Sequence, residues 1–190
     1  MPGNLVIRSA GCDDIERVGR VLASSWKAAY RNIVNVGYLD TVYAEQWFLF
    51  LQRGFSDKTI DCFLLETDHS GAIGVSIMRR SMIEAWPHDG ELVSLYLLPD
   101  YTGRGMGRVL YAASEKSFRR HGYSHCILDV LSGNERAISF YRKLGFVDTT
   151  HRTDVTFGDQ KLSCLIMRKP LGHDRLPPLT SRRNNGIVFD

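Results

Sequence analysis

Apolar residues at Ile15, Val18, Leu22, Trp26, Ala29 and Tyr30 recur at the three- and four-residue spacing of a helix with one buried stripe, predicting a first helix. Before it, "LVIRSA" (5–10) alternates as a strand does. Asp13 and Glu16 stand at the spacing of a capping box, in which a side-chain oxygen satisfies an early helix amide. After the break "RNIVNVG", a second helical pattern with Trp47, Phe48 and Leu51 spans 41–53. Three β-rich runs follow, "DCFLLET" (61–67), "AIGVSIMRRS" (72–81) and "GELVSLYLLP" (90–99), joined by Gly, Asp, His and Pro turns as in a meander.

From Met106 to His121 the period becomes helical again, with Val109, Leu110, Ala113 and Phe118 inward and Gly122 as the C-terminal cap. "SHCILDVL" (124–131) predicts a fifth strand. A helix over 134–144 is opened by Ser132, with Glu135 at capping-box spacing, and closed by Gly145. Strands near 146–157 and 161–168 complete a mixed α/β plan. Residues 171–190, "LGHDRLPPLTSRRNNGIVFD", change to a polar, Pro- and Arg-rich composition, that of a disordered tail following one domain over 1–170.

Bulk composition narrows the classes. A chain of 190 residues, 44% of them hydrophobic, is large enough for one good core and short for two. It has no apolar run long enough to span a bilayer and no basic-then-apolar leader, so a soluble, cytoplasmic protein is expected. Cys12, Cys62, Cys126 and Cys164 are scattered singly and the six histidines lie apart, so neither a metal site nor a disulfide framework is expected. A net charge of +3, spread along the chain, argues against a nucleic-acid partner and suits an anionic small molecule.

Candidate chemistry centres on "YTGRGMGR" (101–108), between a strand and a helix. That order presents free amides and the positive end of a helix dipole to an anion, and glycines let its oxygens approach the backbone. Arg104 and Arg108 add cationic contacts to phosphate. A Walker A loop would end in Gly-Lys-Ser/Thr, and the dinucleotide fingerprint would need a third glycine where Arg108 stands.

Together with "ILDVLSGNERAISFYRKLGF" (127–146), the segment "LYLLPDYTGRGMGRVLYAASEKSFRRHG" resembles the GCN5-related N-acetyltransferase (GNAT) family, whose signature is Gln/Arg-x-x-Gly-x-Gly/Ala followed by Asn and Phe-Tyr-x-x-x-Gly-Phe. The resemblance covers 5 to 168 and is most specific over 91–146; Thr102 stands where the family has Gln or Arg. It implies the GNAT fold, an α/β class with a central, mixed, mostly antiparallel sheet of about seven strands, about four flanking helices and a splayed fourth and fifth strand. It also implies acetyl-CoA as acetyl donor, with amides of Gly103, Arg104, Gly105, Met106, Gly107 and Arg108 on the pyrophosphate. Leu95, Tyr96 and Leu97 would pair with the pantetheine arm, the Leu97 amide polarising the thioester carbonyl, while Asn134 contacts the cofactor.

In the family a tyrosine at the place of Tyr141 stands near the cofactor sulfur as general acid, and Glu91 and Asp129 occupy positions where relatives carry a base. An ammonium must lose a proton before it attacks, so one of these carboxylates or a water relay is needed, with Glu91 placed slightly ahead. The acceptor is expected to be a small-molecule or peptide amine, held by walls from 24–43 and 81–90 with Trp26, Tyr30, Tyr38 and Trp86. A homodimer is left open. Two alternatives stand beside this: a non-catalytic CoA-responsive regulator, and a toxin-like transferase on aminoacyl-tRNA, whose basic channel would draw on Arg79, Arg80, Arg182 and Arg183.

Overall fold

The computed structural model describes residues 4–172. Seven strands form one sheet in the order β1-β2-β3-β4-β5-β7-β6. They are β1 (Leu5–Ser9), β2 (Ile60–Thr67), β3 (Gly71–Arg80), β4 (Gly90–Leu97), β5 (His125–Leu131), β6 (Val147–Phe157) and β7 (Gln160–Pro170). Every neighbouring pair is antiparallel except β4 and β5. Five α-helices accompany the sheet: α1 (Ile15–Tyr30), α2 (Val36–Asp40), α3 (Phe48–Ser56), α4 (Met106–Arg120) and α5 (Glu135–Lys143). None of the described helices is long and apolar enough to cross a membrane.

Two cores lie on opposite faces. On one, Val18, Val21 and Leu22 of α1 and Leu51 of α3 pack with Leu64, Val75 and Ile77. On the other, Tyr111 and Phe118 of α4 and Ile138 of α5 pack with Cys126, Leu128, Val130 and Met167. Alternation along each strand supplies both faces, and every fully buried Leu or Ile contributes roughly 1.5–3 kcal/mol. Leu171, the first residue of the expected tail, is buried in the second core, and its amide donates to the Ser124 carbonyl at 2.8 Å. The rest of that tail from 173 onward lies outside the described residues.

Several element edges differ from expectation. Asp13 caps nothing: a 3-10 turn over Cys12–Asp14 precedes α1, and Asp14 instead accepts from the Gly11 amide at 3.2 Å. Arg8 hydrogen-bonds Asp14 and holds its carboxyl down at about 2, with Arg17 on the same group. The helix expected over 41–53 resolves into a 3-10 turn, Ala44–Trp47, leading into α3, while the short α2 occupies part of the expected break. Ser132 does not cap α5; its hydroxyl donates to the Ser163 carbonyl at 2.8 Å, and Asn134 is the cap.

On α4 Val109 is exposed and Ala113 half-buried, and the inward face is Leu110, Tyr111, Ser114, Ser117 and Phe118. The two serines are buried because each has a partner. Ser114 shares a 2.6 Å hydrogen bond with Ser76, and Ser117 donates to Asp61 at 2.6 Å.

Candidate active site

Strands β4 and β5 run parallel and pair only through Gly90 with Cys126 and Glu91 with Ile127, then diverge. A bulge at Val93 bends β4 just beyond, where Ile77 opposes Ser94 but Met78 opposes Leu92. From Leu92 on, the β5-facing edge of β4 therefore has no strand partner. The Leu98 amide donates to Ile73 on β3 at 2.8 Å. Successive amides of a strand point to opposite edges, so the Leu97 amide, and Leu95 in the same phase, face the open splay. The Tyr96 amide turns toward β3, and what Tyr96 offers the cleft is its phenol, packed on the α1 face.

At the head of the splay a 3-10 turn, Pro99–Tyr101, leads into the glycine segment. Gly103 and Gly105 have φ of 76° and 81°, a left-handed conformation that side-chain-bearing residues adopt at a cost. An added Cβ on either would meet no atom within 4 Å, so the loop lines an open cradle. Gly105 is also the N-cap of α4, whose first-turn amides lack intrahelical partners and point outward with the positive end of the dipole. The Thr102 hydroxyl donates back to the Pro99 carbonyl at 2.8 Å. It braces the turn. At Gly107 an added Cβ would lie 3.3 Å from the Phe140 ring, so the cradle packs directly on α5.

Asn134 accepts from the Ala137 amide at 3.1 Å through Oδ1. Two turns on, Tyr141 packs against Phe140 and Phe146, with ring centroids at 5.4 and 5.6 Å. Burial, with Tyr30 and Asp129 nearby, pushes its phenol well above the ordinary value, so it keeps its proton at neutral pH.

The two carboxylates sit in different surroundings. Glu91 is buried and accepts from Arg79 at 2.7 and 3.1 Å and from the Met82 amide at 2.8 Å. Asp129 lies two residues beyond the last β4–β5 pair, open to water through the splay and walled by protein elsewhere. That desolvation, with the like charge of Glu91, pushes its carboxyl up. Beside it, burial pushes the Cys164 thiol up to about 11. Among the described residues no three His, Cys, Asp or Glu side chains converge as metal ligands.

The α1 side of the cleft is aromatic. Trp26 lies 4.6 Å from Tyr30 and 5.2 Å from Phe157 between ring centroids, and Tyr38 lies 5.4 Å from Phe157. Trp86, from the β3–β4 connection, meets His151 at 4.7 Å. Arg79 and Arg80 form no free basic channel: Arg79 is spent on Glu91, and Arg80 donates to the Pro87 carbonyl at 2.8 Å. Arg182 and Arg183 lie outside the described residues.

Gln160 and Phe157 join this wall without any signal of their own in the chain pattern. The Gln160 side chain accepts from the Asn35 amide at 2.8 Å and donates to the Ile33 carbonyl at 3.0 Å, tying the β6–β7 hairpin to the α1–α2 connection. A polar residue two past Gly158 looks like any turn residue; only the long-range fold brings it to Ile33.

This geometry has close counterparts. A spermidine N(1)-acetyltransferase of Thermoplasma acidophilum is 29% identical over 156 residues, covering 80% of this chain and 94% of that protein. An uncharacterised N-acetyltransferase, YuaI, of Bacillus subtilis is 26% identical over 138 residues, covering 73% of this chain and 78% of the relative. Among solved structures, the PaiA N-acetyltransferase from Thermoplasma acidophilum in complex with coenzyme A superposes with a TM-score of 0.69 at 27% identity, covering 88% of this chain and 99% of that one. The acetyltransferase (GNAT) family pattern matches residues 22–146, a span holding the bulged β4, the glycine cradle, Asn134 and Tyr141, and the chain belongs to that family.

Proposed function

We propose that the protein transfers an acetyl group from acetyl-CoA to a primary amine by direct attack while both are bound. The carrying observation is the splay of β4 from β5 after two paired residues, headed by a cradle at Gly103 and Gly105 that is open to an anion. Acetyl-CoA supplies the acetyl group as a thioester. The amides of 103–108 hold its pyrophosphate, and Arg104 and Arg108, both exposed, add charge. Leu95 and Leu97 offer their splay-facing backbone groups to the pantetheine arm as an added strand would, with the Leu97 amide at the thioester carbonyl. The free side of the Asn134 amide contacts the cofactor.

Tyr141, held protonated, hydrogen-bonds the departing sulfur. We place Asp129 ahead of Glu91 as the group that takes the amine's proton, directly or through water. Asp129 opens to the cleft with its proton affinity raised, whereas both Glu91 oxygens are already occupied. Glu91 and Arg79 then fix the floor of the site.

The acceptor is a cationic amine lacking a carboxylate. Aromatic walls and the Asp129 carboxylate favour a cation, and Arg79 and Arg168 on this face are tied to Glu91 and Asp89. The likeness to a spermidine acetyltransferase supports the same class. Spermidine, simple diamines, aminoglycosides, amino acids and peptide N-termini assayed for CoA release test the assignment. Polyamines and diamines should turn over at least tenfold faster than free amino acids; no CoA release with any amine would overturn it.

A further inference from the structure

Residues 31–43, between α1 and α3, lie as a roof over part of the sheet. Among the described residues, the hydrogen bonds that join this roof to a strand both come from Gln160, which accepts from the Asn35 amide at 2.8 Å through Oε1 and donates to the Ile33 carbonyl at 3.0 Å. Gln160 opens β7 and stands opposite Phe157 across the β6–β7 hairpin, so the two side chains rise on one face. Alternation puts Leu162, Cys164 and Ile166 on that face too, and Cys164 and Ile166 stand opposite Leu131 and Asp129 of β5. Val34 and Leu39 of the roof pack in one cluster with Leu131, Cys164 and Leu162. The roof therefore covers the sheet face that carries Asp129. Ile33 bears on the β5–α5 turn, where a Cβ added to Gly133, the residue before Asn134, would lie 3.3 Å from it. Tyr38 bears on the hairpin turn, 3.4 Å from the Cβ position of Gly158.

We propose that Gln160 is a positioning residue for the acceptor: its two bonds latch the roof over the Asp129 face and so set how tightly the amine is held. This rests on the acetyltransferase reading above. Gln160 lies six residues along β7 from Ile166, the residue opposite Asp129, or roughly 20 Å at the rise of a strand, so it does not reach the reacting atoms itself. It acts through the roof. A primary amide suits the task because one rigid group carries both the acceptor for Asn35 and the donor for Ile33, a pairing that an ionised carboxylate cannot make. The proposed cofactor groups stand apart from the latch, on β4 and at the head of α4, and Asn134 keeps its own bond to Ala137. Releasing the roof therefore bears on the amine and spares CoA.

The test is a pair of variants of similar side-chain length, assayed with the fastest amine of the panel. Gln160→Met loses both bonds; Gln160→Glu keeps an acceptor for Asn35 and sets a carboxylate oxygen against the Ile33 carbonyl. Each should raise the amine KM about tenfold, the effect of one or two lost hydrogen bonds. The kcat at saturating amine, the KM for acetyl-CoA and calorimetric CoA affinity should stay within about twofold of wild type, as expected where only acceptor binding is touched. Hydrogen–deuterium exchange should quicken in peptides from 31–43 and stay unchanged in those from 103–120. An amine KM at the wild-type level in either variant, a rise in both KM values together, or losses that track only a lowered melting temperature would overturn the latch. A wild type that binds CoA yet releases none from acetyl-CoA with any amine would instead overturn the acetyltransferase reading, with exchange over 31–43 still deciding whether Gln160 holds the roof.

Discussion

Asp129 faces water through the splay while protein and the Glu91 charge surround it on its other sides, and its carboxyl is raised above the ordinary 3.8. The sign of the stability effect follows: the folded protein keeps this proton to higher pH than the unfolded chain does. Stability therefore falls as pH rises from the unfolded carboxyl value through the raised folded one, and it stays at the lower level at neutral pH. Asp129→Asn removes that penalty, so the variant should melt higher than wild type at neutral pH, with the difference vanishing in acid. The same change removes the proposed base and should lower kcat roughly 100-fold. It should also remove the acidic limb of the rate profile, where wild-type activity falls as pH drops through the raised carboxyl value. Thermal melts and kcat measured across pH test both; wild-type turnover in the variant would hand the proton to water alone. Stability lost to keep a reactive carboxylate in place is a common feature of functional sites.

The glycine turn and the helix behind it show what the chain pattern carries and what it conceals. Strand, Gly103, Gly105 and α4 stand within a residue or two of where spacing places them, because conformational demands and a helical period are local properties. The inward face of α4 is not local. Ser114 and Ser117 look exposed by polarity, and they are buried because Ser76 and Asp61, on distant strands, satisfy them. Likewise Asn134 takes the cap expected of Ser132, because Ser132 is drawn to Ser163 on β7. Spacing also leaves Tyr96 with a backbone role alone, since the phenol's partner, Tyr30, lies 66 positions away. At Gly105 the local demand is testable. No atom within 4 Å would obstruct a methyl group, so Gly105→Ala acts through the φ of 81° alone. It should cost about 1–2 kcal/mol in chemical denaturation. CoA affinity should fall as well, because the strained loop re-aims the first amides of α4. Unchanged stability and affinity would show that the cradle does not depend on this conformation.

At the scale of the whole molecule the sheet is two half-sheets, β1 to β4 and β5, β7 and β6, joined by backbone at one short parallel contact. The splay proposed to admit a cofactor arm also removes most of the hydrogen bonds that would hold the halves together, so side chains across the joint carry that task. Phe118 of α4 is one of them: it is 2% exposed and lies over Gly90, the first residue of the contact. A Cβ on Gly90 would run into the Phe118 ring, with Tyr123 also at 3.0 Å. Phe118 packs edge-on to Tyr123, at 6.0 Å between centroids, so the ring is held on that side. Gly90→Ala should therefore overpack the joint and cost about 1–3 kcal/mol in chemical denaturation. CoA affinity should fall in parallel, since the proposed arm lies between strands whose separation this contact sets. A second variant, Gly90→Ala with Phe118→Leu, should recover part of both by giving the methyl group room. If Gly90→Ala were as stable as wild type and bound CoA equally well, the halves would be held by contacts elsewhere, and the width of the splay would not be fixed at Gly90.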